Sequence, residues 1–135
     1  MIKLILTVAI FSVVLSGCIP KVARNDKLGS RGEFIKGQVV EGFPNIPLYK
    51  GSDVIETYGE NGNFGASFVV GEDLEKIVNF YAKYLPAAGW EANLSQKSAD
   101  NFVFDVKNAA HSGTIIVNTA ADGKKTAITV SLEPR

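Results

Sequence analysis

Residues 73–90 read Asp-Leu-Glu-Lys-Ile-Val-Asn-Phe-Tyr-Ala-Lys-Tyr-Leu-Pro-Ala-Ala-Gly-Trp, and this stretch decides the fold. Leu74, Ile77, Val78, Tyr81, Tyr84, Leu85 and Ala88 recur at intervals of three and four, which draws one apolar stripe along a helix. Glu75, Lys76, Asn79 and Lys83 fall on the other side. The pattern predicts a single amphipathic helix over about 73–88. Asp73 is the expected N-cap, although Lys76 stands where a capping box needs Glu or Gln. Pro86 should kink or nearly end the helix, and Gly89 should close it.

Working outward, the apolar period changes from helical to two. Upstream, Asp53–Tyr58 (DVIETY) and Phe64–Val70 (FGASFVV) are rich in β-branched and aromatic residues, with turn chemistry at Gly59-Glu60-Asn61-Gly62-Asn63 between them. Downstream, Trp90–Ser95, Asn101–Lys107, Gly113–Thr119 and Thr126–Leu132 alternate, and Asp122-Gly123 marks a hairpin turn. The connections are too short for helical crossovers, so the sheet is antiparallel. One face is apolar and the other mostly polar, as in a single sheet covered on one side. The expected order is β-β-α-β-β-β-β, an α+β fold with one helix packed on one face of an antiparallel sheet. Tyr81, Tyr84, Trp90, Phe102 and Phe104 are expected to point inward, as are Ala92 and Leu94 beside Trp90. Gly42–Ser52 carries two prolines and reads as extended chain; its Ile46–Gly51 part either packs over the helix or accepts a partner strand.

Composition narrows the function. The 135 residues hold 14 Lys plus Arg and 14 Asp plus Glu, so phosphate neutralisation of a nucleic acid is not expected. One cysteine excludes an intramolecular disulfide, and one histidine excludes a multi-histidine metal site. His111 lies in Asn108–Gly113, which reads as an exposed hairpin loop. Asp100 and Asp105 could form a catalytic carboxylate pair only if they met; the alternation places Asp100 in a turn and Asp105 toward solvent. No nucleophile elbow is present, and Gly59, Gly62 and Gly65 precede strand rather than helix, which excludes a phosphate-binding fingerprint. The expectation is therefore no enzyme, no catalytic residue, no metal and no cofactor. Val103 and Ile116 fall on the polar face of neighbouring strands, where they form a candidate partner patch or two scattered apolar residues.

The N-terminus is of another kind. After Lys3, Leu4–Leu15 (LILTVAIFSVVL) is an apolar run shorter than the ~20 residues that cross a bilayer, and Pro20 follows soon after. This is the size of a signal-peptide core. It ends in Leu15-Ser16-Gly17-Cys18, which holds the only cysteine. That tetrad resembles the lipobox of bacterial lipoproteins. The resemblance implies a diacylglyceryl thioether on Cys18, with palmitate-type acyl chains. It also implies cleavage before Cys18 by a peptidase that needs small residues at Ser16 and Gly17. The mature chain would then run from Cys18 to Arg135, and residues 1–17 would be a signal peptide. Ile19, rather than Asp, follows the cysteine, which by the same resemblance favours the outer membrane if the source is Gram-negative. The site would face the periplasm or the cell exterior, attached without a spanning helix.

Residues 18–36 carry five cations against two anions, a net of +3, whereas residues 37–135 carry eight against twelve, a net of −4. The first stretch reads as a flexible basic tether, either lying on an anionic membrane surface or serving as an ordinary polar linker. The second reads as the single folded domain. The Leu85–Trp90 helix end followed by a meander resembles helix-grip domains of small envelope lipoproteins, over roughly 46–132. The reading that follows from the lipobox resemblance, the basic tether and the lack of catalytic groups is a lipid-anchored protein-binding or assembly accessory, with the membrane and another envelope protein as partners. The alternative it leaves open is a carrier of a small apolar ligand or lipid between helix and sheet.

Overall fold

Six strands and one helix make up the computed structural model, which describes residues 39–135. The expected signal peptide, Cys18 and the expected basic tether lie outside the described residues. The strands are β1 (Asp53–Glu60), β2 (Asn63–Val70), β3 (Glu91–Ser98), β4 (Asn101–Lys107), β5 (His111–Thr119) and β6 (Thr126–Pro134), and the helix is α1 (Leu74–Ala87). All neighbouring strands pair antiparallel, and α1 covers one face of the sheet, so the architecture is α+β and mostly sheet.

The order across the sheet is β1-β2-β6-β5-β4-β3. Order along the chain therefore does not give order in space: the last strand returns between β2 and β5, and β3 lies at the far edge. The β1–β2 loop is tighter than the five-residue turn expected. Only Asn61 and Gly62 turn, with φ of 52° and 79°, so the strands extend to Glu60 and Asn63. Asn-Gly is the dipeptide that best tolerates two positive φ angles, and it matches the strand twist. In the β4–β5 turn, at the same end of the sheet, Asn108 Oδ1 accepts the N–H groups of Ala110 and His111 at 2.9 and 2.8 Å. This lets β5 begin at His111, two residues earlier than its alternation suggests.

The helix starts at Asp73, but the Asp73 side chain makes no cap hydrogen bond. Its Glu72 neighbour instead accepts Thr126 Oγ1 on its carbonyl at 2.7 Å, which ties the helix start to β6. Pro86 sits in the last turn, where one further residue completes the helix. Gly89 (φ 90°) then reverses the chain; its N–H donates to the Pro86 carbonyl and the Trp90 N–H to the Leu85 carbonyl. This is a Schellman closure, and Trp90 and Leu85 supply its hydrophobic contact in the core.

Alternate residues of the sheet meet this helix. Phe68, Ile128, Ile115, Phe104 and Val117 lie against Ile77, Tyr81 and Leu85, all nearly without solvent exposure. Tyr84 is a correction to the expected stripe: it is exposed, with Lys83 Nζ 5.2 Å from its ring centroid. Phe80 takes the side position instead, because residues 39–52 form a strap that gives the helix a second neighbour. The strap begins where Val40 N–H donates to Thr57 Oγ1 at 2.9 Å. It continues past Phe43 on Phe64 (5.6 Å between centroids), Ile46 in the core and Tyr49 on Phe80 (5.1 Å). Trp90 Nε1 donates to the Asn45 carbonyl at 2.8 Å and pins its middle.

The Tyr81 hydroxyl is buried without a hydrogen-bond partner among the described residues, and burial pushes its pKa upward. A buried hydroxyl without a partner costs about 1–3 kcal/mol. Tyr81→Phe is therefore expected to raise stability by about 1 kcal/mol, read as a higher urea midpoint. A loss of stability would show that the hydroxyl has a partner.

Candidate functional site

Widths explain where the surface is left open. Six strands at about 4.8 Å spacing span roughly 24 Å, whereas a helix with its side chains is only about 10–12 Å across. One helix cannot cover this sheet. The strap fills the shortfall on the β1–β2 side, and nothing among the described residues fills it on the β3–β4 side. A groove of about 520 Å³ remains there, open to solvent, between Leu74, Glu75, Val78 and Asn79 of α1 and Leu94 and Phe102 of the sheet, with Ala99 of the β3–β4 turn. Leu94 corrects the sequence reading in part. It does lie on the helix side of the sheet, opposite Phe104, yet it is 47% exposed because α1 does not reach it. Phe102 is partly buried, and Trp90 and Phe104 are buried as expected.

The groove is apolar at its floor, with Glu75 and Asn79 at the rim. Glu72 and Lys76 form an ion pair of 3.0 Å at the start of the helix, which raises the lysine pKa. Tyr49 lies against the same lysine, 5.9 Å from ring centroid to Nζ. Beyond the groove lies β3, which pairs with β4 alone among the described residues. Groove and sheet edge are thus continuous.

The uncovered face of the sheet is polar, with rows of Ser, Thr and Asn. Val103 and Ile116 are directly opposite one another in the β4–β5 register and half-buried, between Ser95 and Thr129 in their row. A second hollow of about 380 Å³ lies among Tyr58, Phe64, Gly65, Thr114, Ser131 and Glu133. Tyr58 donates to Glu60 there, and that bond with the nearby carboxylate raises the phenol pKa. At the β5–β6 turn Asp122 Oδ1 accepts the N–H groups of Lys125 and Lys124, which lowers its pKa.

The residues weighed for catalysis do not assemble. His111 is not in a loop: it opens β5, half-buried, with its ring 5.6 Å from that of Phe64. Asp100 is in the β3–β4 turn and Asp105 is in mid-strand opposite Asn93 and Thr114. They are five positions apart along extended chain, about 17 Å. Among the described residues no three of His, Cys, Asp and Glu group as metal ligands, and no helix is long and apolar enough to cross a membrane. Cys18, with Leu15, Ser16 and Gly17, lies outside the described residues.

Sequence reasoning left open a ligand space between helix and sheet but did not place this groove at its β3–β4 flank. The only sign of it was the length of the strand list against a single helix. The chain matches no family model, no curated protein and no solved structure.

Proposed function

We propose that this chain is a lipid-anchored, non-enzymatic protein of a bacterial envelope, with a helix-grip-like domain that binds another protein as an assembly accessory. The reading of the anchor rests on the charge, apolar run, small residues and lone cysteine of Met1–Cys18 in that order. The reading of the domain rests on one observation: a half-exposed Leu94 over an apolar groove, beside a strand edge free among the described residues. Exposed apolar surface of this kind, rimmed by polar groups, marks interaction sites. The acyl chains would hold the domain at the bilayer, at the outer membrane in a Gram-negative cell, facing the periplasm or exterior. More than one chain makes such anchoring stable.

Metabolic labelling with an alkyne fatty acid tests the anchor. The native protein is expected to carry the label with Cys18 at its N-terminus by mass spectrometry, and Cys18→Ser to lose essentially all of it. Label that persists in Cys18→Ser, or a mature chain starting at Met1, would overturn the reading. The groove also favours a second reading, a carrier of a small apolar ligand, since its 520 Å³ is within the size of small-molecule sites. A stoichiometric lipid in an organic extract of the purified chain, in excess over the acyl chains on Cys18, would favour the carrier.

A further inference from the structure

We propose that the groove and the edge of β3 seat a second copy of this chain, β3 against β3 about a two-fold axis. This rests on reading the groove as a protein-binding site and is independent of the anchor. An edge strand presents a row of unpaired N–H and C=O groups, and long regular edges recruit other strands unless they are covered or broken. β3 has eight residues, and its irregularity lies only at the far end, between Gln96 and Ser98. The stretch Glu91–Gln96 is a regular ladder on its β4 side.

The charges of this edge choose the partner. Glu91 lies three residues before Leu94 and Lys97 three residues after it. An antiparallel pairing centred on Leu94 sets Leu94 opposite itself and brings each Glu91 close to Lys97 of the second copy, the residue that lies in the irregularity after Gln96. Opposite charges facing each other across strands are favourable and like charges are not. Glu91 is 3.2 Å from Lys107 and remains well exposed, and Lys97 has no ion pair among the described residues, so both are available. The same axis brings the two grooves side by side and buries the two Leu94 side chains between them. The surface is self-complementary, as a closed two-fold dimer requires, and the sheet runs on through both copies.

Full-length chains with two different affinity tags, co-expressed and solubilised in detergent, test this by co-capture. Native copies are expected to capture one another. E91K with itself and K97E with itself each bring like charges close together twice, and capture should fall about tenfold. E91K mixed with K97E restores both attractions, and capture should return to near the native level. The Glu91–Lys107 ion pair is lost in both copies of the E91K self-pair, in one copy of the mixed pair and in neither copy of the K97E self-pair, so the K97E arm reads the charge contact free of that loss. Native copies that fail to capture one another, reversals without effect, or a mixed pair that does not recover would each overturn the proposal. A benzophenone amino acid at position 94, irradiated in envelopes, should give an adduct with the mass of two chains. An adduct with a different protein would overturn self-pairing while leaving the groove a protein site; no adduct would overturn both.

Discussion

Gly113→Ala is expected to unfold the domain or to cost it more than about 3 kcal/mol, above the 1–3 kcal/mol of ordinary overpacking. Gly113 pairs with Val106 on one side and Leu132 on the other, in the central strand pair of the sheet. A Cβ built on it would stand 1.9 Å from the Ser131 carbonyl oxygen and 2.9 Å from Leu132 Cα. These are backbone atoms, so no side-chain rotation relieves the clash. β5 and β6 must separate, and every cross-strand contact near Leu132 goes with them. A glycine inside a strand often marks such a close backbone approach. Gly71→Ala is the control: a Cβ there meets nothing within 4 Å, and its effect should be small. Urea unfolding of both variants checks the difference. A Gly113→Ala midpoint near the Gly71→Ala midpoint would show that the strands do not approach this closely.

The same glycine shows where sequence reading stopped. Period-two alternation reads strand faces well: Phe104, Val106, Ile115, Val117, Ile128, Val130 and Leu132 all face the helix as the pattern implies. Local turn chemistry also carries far, since Gly89 closes α1 and Asn61-Gly62 turns the first hairpin. Gly113, however, looks like a strand beginning, because alternation is silent where a residue has no side chain. Its meaning depends on β6, which is distant in sequence. The expected inward set failed in the same way at Tyr84 and Leu94. Their spacing is right for burial, but burial also needs a cover, and the width of one helix against six strands is a tertiary quantity. The strap, too, had a readable conformation and an unreadable destination. Its prolines exclude helix and leave two destinations for Ile46–Gly51, and only tertiary contacts such as Trp90–Asn45 and Tyr49–Phe80 choose packing over the helix. The groove is what these unreadable parts leave between them.

Trp90→Ala is expected to have the second large effect, about 3–5 kcal/mol, the usual cost of removing a buried aromatic side chain. Trp90 is 3% exposed and serves two structures at once. Its ring is the contact that closes the C-terminus of α1 against Leu85, and its indole N–H holds the strap at the Asn45 carbonyl. Trp90→Phe separates these roles. It keeps a ring in the core but removes the donor, at a cost of about 1 kcal/mol for the lost bond plus the smaller ring. Amide exchange reads the strap directly, because the Val40 N–H is protected by Thr57 Oγ1 and lies on the strap's first turn. In Trp90→Ala its exchange should accelerate well before the β5–β6 amides do, since the strap is tied to the rest mainly through Trp90, Ile46 and two ring contacts. If Val40 and the β5–β6 amides instead exchange together, the strap unfolds only with the sheet. It would then be an integral layer of the core.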